Sequence, residues 1–215
     1  MTTTQSAPGR WEHLLFFARF LRDPRSIASV APSSRRLAAA MVALVDQRHP
    51  AGAPERSDAE RPITIVELGP GTGAFTRLIA ERLRPADRFL GVELDPVFAN
   101  GLRLEWPHLD FACASAESLR ALVDERQIGL VDHIVSGLPF ATLRTETTLQ
   151  ILDAVADVLR PQGTFTTFHY VHSYGMPLAV EFRQRMNALM GTAPSVRVVR
   201  RNFPPALTLS WIKRE

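Results

Sequence analysis

The order of apolar and polar positions divides the chain, from about residue 63 onward, into short β-type runs that alternate with helical stretches. Five runs rich in apolar and β-branched residues predict strands, because side chains of this kind suit a buried, pleated surface. The runs read ITIVE, RFLGVE, LDFACA, DHIVSG and GTFTTFHY, and the helices between them begin near Phe75, Pro96, Ala116 and Thr145. Strand–helix alternation produces parallel strands with right-handed crossovers, so the pattern predicts a doubly wound α/β fold.

The last part of the chain breaks this alternation. A helix is predicted near Pro177 to Met190, and the runs SVRVVRRNF and ALTLSWIKR then follow, about a turn apart around Pro204 and Pro205. Two strand-type runs joined this closely predict an antiparallel pair, which is common at the edge of a doubly wound sheet. The prediction is therefore a seven-stranded, mostly parallel sheet with an antiparallel C-terminal strand.

The chain before the sheet is predicted to hold a polar tail and two helices over residues 1–50, and a surface linker over 51–62, with the main domain at 63–215. The helix Arg10–Arg22 is apolar on two sides, since Phe16 and Phe20 fall nearly opposite Leu14. Such a helix needs two apolar partners, which we interpret as the protein core and either lipid or a second chain. A second helix, built on Leu37, Met41, Leu44 and Val45, is predicted to begin at a cap formed by Ser33 or Ser34.

Composition limits the function classes. The formal charge is +3 and the cations are almost all arginine, with Lys213 the single lysine, which suits phosphate-bearing partners or reflects compositional bias. Cys113 is the single cysteine, so it indicates a buried, inert thiol and neither a disulfide nor a thiolate metal site. The sequence has neither an apolar run of membrane-spanning length nor a signal-peptide pattern, so we expect a cytoplasmic protein.

The strongest local signal is the turn after the first strand. Glu67 ends that strand, and the turn that follows carries glycines at Gly69, Gly71 and Gly73 before the next helix. Glycines allow the backbone to approach a ligand closely. The spacing is GxGxG, whereas a dinucleotide site has GxGxxG, and a carboxylate beside the turn repels a diphosphate but suits an ammonium or sulfonium. The turn therefore favours S-adenosylmethionine (SAM) over a dinucleotide.

The next two strand ends supply the other candidate cofactor contacts. Glu93, with Leu94 beside it, follows about twenty residues later, where an acidic residue can accept both ribose hydroxyls. Ser115 and Ala116 end the third strand, where a hydroxyl and backbone amides can meet an adenine edge. Together these positions predict a nucleoside site along one edge of the sheet.

The fourth and fifth strand ends are the candidate acceptor site. Ser136 begins the turn SGLPF, in which Phe140 is predicted to close over a bound methyl group or adenine. His169 and Tyr170 end the fifth strand and point to opposite faces, so at most one of them reaches the crevice. We favour Tyr170, and expect His169 to have a satisfied structural role. The candidate catalytic residues are therefore Ser136, Phe140 and Tyr170. The groups that can help to take a proton from the acceptor are Ser136, Tyr170, His169 and a backbone carbonyl of the turn.

With these motifs placed, the chain resembles the bacterial phospholipid N-methyltransferases. These are relatives of the ribosomal RNA adenine dimethylases in the Rossmann-like class I SAM-dependent methyltransferase superfamily. The resemblance runs from about Phe16 to Arg214, and its motifs are FLRDPRSIASVAPSSRRLAAAM, VELGPGTGAFT, GVELDP, SGLPF and RNFPPALTLSWIKR. It implies the cofactor roles given above for Glu67, the glycines and Glu93, with no metal. It also implies stepwise methylation of phosphatidylethanolamine toward phosphatidylcholine by a peripheral protein on the inner face of an anionic membrane, with an N-terminal helix docking on the membrane surface.

Two departures from the family pattern leave alternatives open. Ser115 stands where many relatives carry an aspartate, and the segment HYVHSYGMP differs from the expected tyrosine–glycine pattern, so another lipid amine such as an ornithine lipid stays open as acceptor. A nucleic-acid adenine methyltransferase is the main rival, supported by the basic isoelectric point. Ser136 argues against it, because an asparagine or aspartate is expected there to bind a base amine. A second rival is a membrane-bound binding module without catalysis.

Overall fold

The computed structural model describes residues 34–45 and 61–214, which belong to one compact unit formed by Pro32–Glu215. The predicted helix Arg10–Arg22 and nearly all of the linker lie outside the described residues. No helix in the two described ranges is both long enough and apolar enough to cross a bilayer.

Seven strands form one sheet, as predicted. They are β1 (Thr64–Leu68), β2 (Arg88–Glu93), β3 (Asp110–Cys113), β4 (Val131–Ser136), β5 (Leu159–Tyr170), β6 (Ser195–Val199) and β7 (Ala206–Ile212). Their order in the sheet is β3-β2-β1-β4-β5-β7-β6, and β7 runs antiparallel to both of its neighbours while the other paired strands are parallel. The carboxyl ends of β1 to β5 therefore meet along one edge, which is where ligands bind in open α/β sheets.

In the part of the chain that the structure describes, six α-helices connect or flank the strands. They are α1 (Arg35–Met41), α2 (Ala74–Ala80), α3 (Pro96–Glu105), α4 (Leu119–Glu125), α5 (Thr145–Val158) and α6 (Pro177–Met190). Of the two candidate caps for α1, the structure selects Ser34, whose Oγ accepts a hydrogen bond from the Leu37 N–H at 3.2 Å. Asp95 caps α3 in the same way, accepting from the Val97 N–H at 2.7 Å. The helix predicted near Ala116 begins as a 3₁₀ turn, and its α-helical part starts at Leu119.

The core on the α5 and α6 side of the sheet is aromatic. Phe140, Phe165, Phe182 and Trp211 are at most 1% exposed, and the rings of Phe140 and Phe182 stack with centroids 4.4 Å apart. Trp211 meets the polar requirement of its indole by donating from Nε1 to Asn187 Oδ1 at 2.8 Å. This cluster holds α6 against β5 and β7, so the end of β5 is fixed relative to the rest of the sheet.

The expectation for Cys113 is wrong. Its thiol is exposed because β3 is the outermost strand on its side of the sheet, and Cys113 is the last residue of that strand. The apolar run around it suggested burial, but an edge strand leaves its final side chain open to solvent.

Candidate functional site

The glycine turn after β1 leaves open space at one of its three glycines. All three have positive φ, +67° at Gly69, +56° at Gly71 and +77° at Gly73, a conformation that disfavours other residues. A Cβ at Gly73 would lie 2.6 Å from the Trp106 ring, and one at Gly69 would lie 2.8 Å from a methyl of Leu138. A Cβ at Gly71 would meet no atom within 4 Å. Two of the glycines therefore make room for protein, and Gly71 is where a ligand can approach the backbone.

Glu93 joins this turn to the end of β2. Its Oε2 accepts a hydrogen bond from the Gly71 N–H and its Oε1 accepts one from the Asp95 N–H, each at 2.9 Å. A carboxylate has about four lone-pair positions, so two are left for further donors. The geometry fits the role predicted for Glu93, since a pair of ribose hydroxyls can donate to the same group that holds the turn.

Glu67 is fully buried beneath the first turn of α2. Its Oε2 accepts a hydrogen bond from the Thr76 hydroxyl at 2.6 Å, while Oε1 has no partner among the described residues. Burial raises the pKa of this carboxyl group to about 8, against a usual value of 4.5. An unpaired carboxylate oxygen beside the glycine turn suits a cationic ligand, held directly or through an ordered water. Sequence reasoning missed Thr76, although its position at the start of α2 places it over the end of β1.

The predicted adenine side of the site lies between β2 and β3. Leu94 is 70% exposed, which is high for a leucine and leaves an apolar surface beside Glu93. Glu93 pairs with Cys113 in the sheet, so the residues after β3, Ser115 and Ala116, lie beside the residue after β2, Leu94. The Ser115 hydroxyl donates to Glu117 Oε2 at 2.7 Å, and Ala116 is 8% exposed. An exposed apolar side chain next to backbone amides is suited to an adenine ring.

The turn after β4 lies against the glycine turn. A Cβ at Gly137 would lie 2.7 Å from the Gly69 carbonyl oxygen, so only glycine allows the two turns to touch. Ser136 is fully buried, and its Oγ accepts from the Leu138 N–H at 3.3 Å. Its hydroxyl is thus directed into its own turn, and the partly exposed residues at this point are 137–139. Ser136 shapes the turn, and the backbone of 137–139 is the part open to an acceptor.

Phe140 does not occupy the position predicted for it. Its side chain is fully buried, one ring face is covered by Phe182, and Phe165 lies 6.3 Å away, centroid to centroid. A ring enclosed in this way cannot close over a bound methyl group. The turn SGLPF bends back into the sheet, which carries its last residue into the core.

The end of β5 places Tyr170 and His169 on opposite faces, as alternation requires. Tyr170 is 3% exposed, its ring lies edge-on to Phe168 at 5.4 Å and stacks on His172 at 5.7 Å, and burial raises its pKa. Phe168 in turn lies 6.1 Å from Phe75, at the start of α2 beside Gly137. Four rings therefore run from the glycine turn to the end of β5, and we call them the aromatic row: Phe75, Phe168, Tyr170 and His172. The sequence analysis missed Phe75 and Phe168, although the two-residue period of β5 already placed Phe168 with Tyr170.

His169 departs from the satisfied role expected for it. It is 3% exposed, and neither ring nitrogen has a hydrogen-bond partner among the described residues. Burial and the nearby Arg183 guanidinium lower its pKa to about 4, so the ring is neutral at pH 7. It packs against Phe182 of α6, on the face of the sheet opposite the aromatic row.

These groups fit the parts of SAM. The open backbone at Gly71 and the spare lone pairs of Glu93 suit a nucleoside, and the exposed face of Leu94 suits its base. The unpaired oxygen of Glu67 suits the positive charge of the amino acid part. A diphosphate does not suit this site, because it would meet the Glu93 carboxylate, which already accepts from the Gly71 N–H.

Comparisons with known proteins identify methyltransferases among the relatives of this chain. Residues 65–163 match a family described as a methyltransferase domain. An ornithine lipid N-methyltransferase from Singulisphaera acidiphila is 32% identical over 157 residues, which are 72% of this chain and 76% of that protein.

Solved structures show the same fold at lower identity. The 1,6-didemethyltoxoflavin-N1-methyltransferase of Burkholderia thailandensis, with bound S-adenosylhomocysteine, has a TM-score of 0.58 and 15% identity over 100% of this chain and 94% of that one. A TehB-like SAM-dependent methyltransferase from Corynebacterium glutamicum has a TM-score of 0.55 and 13% identity over 95% and 97% of the two chains. The fold class, the glycine turn and the relatives all agree. The chain therefore belongs to the class I SAM-dependent methyltransferases, with a lipid N-methyltransferase among its relatives.

Proposed function

We propose that this enzyme methylates the amine headgroup of a membrane lipid, with phosphatidylethanolamine as the acceptor and phosphatidylcholine as the end product. The observation that carries the lipid assignment is the 32% identity, over 72% of the chain, to an ornithine lipid N-methyltransferase. That relative also makes an ornithine lipid the second candidate acceptor.

The aromatic row supports an amine that becomes a permanent cation. A methylated ammonium loses hydrogen-bond donors with each transfer, and a quaternary product has none, so carboxylates hold it less well than ring faces do. Phe168 and Tyr170 lie beyond the carboxyl end of β4, next to the turn at 137–139. Each cation–π contact stabilises such a group by about 0.5 to 2 kcal/mol, which is enough to position it without a buried charge.

The residues of this chain then have three tasks. When bound, SAM supplies a methyl group activated on a sulfonium, and Gly71 and Glu93 would hold its nucleoside. The aromatic row removes water from the acceptor, which lowers the pKa of an ammonium from its usual value of about 10.4 and frees the nitrogen lone pair. A backbone carbonyl of 137–139 or the Tyr170 hydroxyl, which stays protonated at neutral pH because burial raises its pKa, can pass the released proton to water.

Transfer of radiolabelled methyl groups from SAM tests the proposal. Mixed micelles of detergent with phosphatidylethanolamine, or with an ornithine lipid, are compared with ribosomal RNA and with no acceptor. We expect label in mono-, di- and trimethylated phosphatidylethanolamine, separated by thin-layer chromatography. Label in the ornithine lipid alone would select the second candidate, label in RNA would replace the lipid proposal, and no transfer to any acceptor would favour a binding module.

Two variants of Tyr170 test the aromatic row in the same assay. Tyr170→Ala should raise KM for the lipid by roughly 3- to 30-fold, because it removes the ring that packs edge-on against the partly exposed Phe168 and positions the aromatic row. Tyr170→Phe is the matched control, since it keeps the ring and should leave KM within about twofold. Equal effects of both variants would show that the ring face does not bind the headgroup. SAM affinity, measured by calorimetry, confirms that each variant is folded.

A further inference from the structure

The hairpin between β6 and β7 carries exposed positive charge at the same edge of the sheet as the cofactor turn. Ala206 pairs with Tyr170 at the carboxyl end of β5, so the hairpin tip at residues 200–205 lies beside the aromatic row. The Pro205 carbonyl accepts a hydrogen bond from the Val171 N–H at 2.9 Å, which ties the tip to the segment after β5. The tip is therefore adjacent to the proposed acceptor site.

An open groove of about 500 Å³ runs between β6 and α1. Its floor is aliphatic, and its guanidinium groups come from both elements. Lining the floor are Ala39, Ala40, Val198 and Val199, and the guanidinium groups are those of Arg36, Arg197, Arg200 and Arg201. All four arginines are exposed, and within residues 34–45 and 61–214 none of their side chains has an ion-pair or hydrogen-bond partner.

Most arginines elsewhere on the described surface are paired. Arg120 bonds Asp124 at 2.8 Å, and Arg185 bonds Asp153 at 2.6 Å. The concentration of unpaired charge at β6 and α1 is thus a local feature and not a consequence of the arginine content alone. A surface of this kind attracts phosphate groups.

Phe203 adds an apolar group to the same tip. It is 91% exposed, although the tip around it is firmly held. The buried Asn202 accepts from the Ser34 N–H at 3.1 Å and donates to the Pro204 carbonyl at 2.7 Å. Leaving a phenylalanine in water costs free energy, and here the exposure is built into a fixed turn. An aromatic ring flanked by arginines is the arrangement by which proteins enter the boundary between lipid headgroups and acyl chains.

We propose that the β6–β7 hairpin and the facing side of α1 form the surface by which this enzyme docks on an anionic lipid bilayer. The arginines contact lipid phosphates and Phe203 enters the interface, so that a headgroup amine meets the aromatic row directly from the membrane. Charge complementarity favours an anionic partner. The aliphatic floor of the groove favours lipid over RNA, because acyl chains can cover apolar side chains that a phosphate backbone cannot. The inference rests on the proposed function only for its link to the aromatic row.

Co-sedimentation of the full chain with vesicles tests the surface. Vesicles of phosphatidylcholine alone are compared with vesicles of equal parts phosphatidylcholine and phosphatidylglycerol. Arg200→Gln with Arg201→Gln should weaken binding to the anionic vesicles by roughly 30-fold, at about fivefold per charge. Phe203→Ser should weaken it by about tenfold or more. The matched control is Arg120→Gln with Arg185→Gln, which removes the same charge on the opposite helical layer and should change binding less than about threefold.

The outcomes separate the two proposals. Unchanged vesicle binding in both hairpin variants, or an equal loss in the control, overturns the docking surface. If the hairpin variants lose RNA binding in a filter assay but keep vesicle binding, the docking surface is also overturned and the groove is assigned to nucleic acid. Failure of the wild-type enzyme to methylate lipid in micelles would overturn the proposed function instead, and vesicle binding would still decide the docking surface. SAM affinity measured by calorimetry reports whether each variant is folded.

Discussion

Replacing Glu67 by glutamine should change the number of protons released when SAM binds. Burial raises the pKa of Glu67 to about 8, so at pH 7 roughly nine-tenths of the unliganded protein carries a proton on this carboxyl group. A cation beside the unpaired Oε1 favours the carboxylate. We therefore expect a net release of protons to the buffer at pH 7, of up to about 0.9 for each SAM bound.

Titration calorimetry at one pH in buffers of different ionisation enthalpy measures this release. The observed enthalpy should vary with the buffer in the wild-type protein, and Glu67→Gln should lose most of that slope, because the amide imitates the protonated acid and keeps its bond to Thr76. Glu105→Gln is the control, since Glu105 is an exposed glutamate that pairs with Arg77 on the surface. It should keep the wild-type slope. A slope near zero in the wild type, or the same slope in Glu67→Gln, would refute the pairing of Glu67 with a bound cation.

The same group gives a pH dependence of stability with a definite sign. Its folded-state pKa of about 8 lies above the usual 4.5, so the folded protein binds a proton that the unfolded chain has lost. The stability due to Glu67 is fully present below about pH 4.5 and is lost as the pH rises toward 8. Denaturation in urea should show this decline in the absence of ligand, and Glu67→Gln should reduce it.

Two further predictions concern the glycine turn and the pairing at Asp132. Gly73→Ala should lower the free energy of unfolding by about 2 to 4 kcal/mol in urea denaturation, because the new methyl group meets the Trp106 ring and φ is positive. Gly71→Ala should lower it by only about 1 kcal/mol, from the positive φ, and should instead weaken SAM binding. Equal losses of stability in the two variants would contradict the difference in space at the two sites. Burial by itself raises the pKa of Asp132, but hydrogen bonds from Arg61, a backbone N–H and Arg160 lower it below its usual value. Asp132→Asn should therefore cost about 2 kcal/mol at pH 7. The cost should shrink as the pH falls below the usual aspartate pKa of 3.8, because the unfolded chain then binds a proton that the paired aspartate resists, and a cost that does not fall with pH would contradict the pairing.

Much of the site follows from local sequence. The strand runs, the GxGxG turn and the acids at two strand ends are short-range features, and the sheet brings them together because parallel strands share one carboxyl edge. Glu93 is the clearest case, since its predicted position lets it bond the Gly71 N–H. Tyr170 and His169 lie on opposite faces for the same reason, because alternation along a strand is a local property.

Other properties depend on which elements meet in space. The chain around Phe140 and Cys113 is equally apolar, yet one side chain lies in the core and the other is exposed, because burial depends on the place of each strand in the sheet. Among the described residues the His169 ring nitrogens have no partner, because the ring packs against Phe182, an apolar side chain of another element. The pKa of Glu67 is raised because folding buries its carboxyl group.

By itself, then, the sequence determined the order of strands and helices, the cofactor turn and the class of ligand, since each rests on residues within one turn or one strand. Tertiary structure alone decided which polar atoms lose their partners and which rings form the aromatic row. It also decided where the arginines of the hairpin gather. Hydration and pairing depend on distances between elements that the order of residues along the chain does not specify.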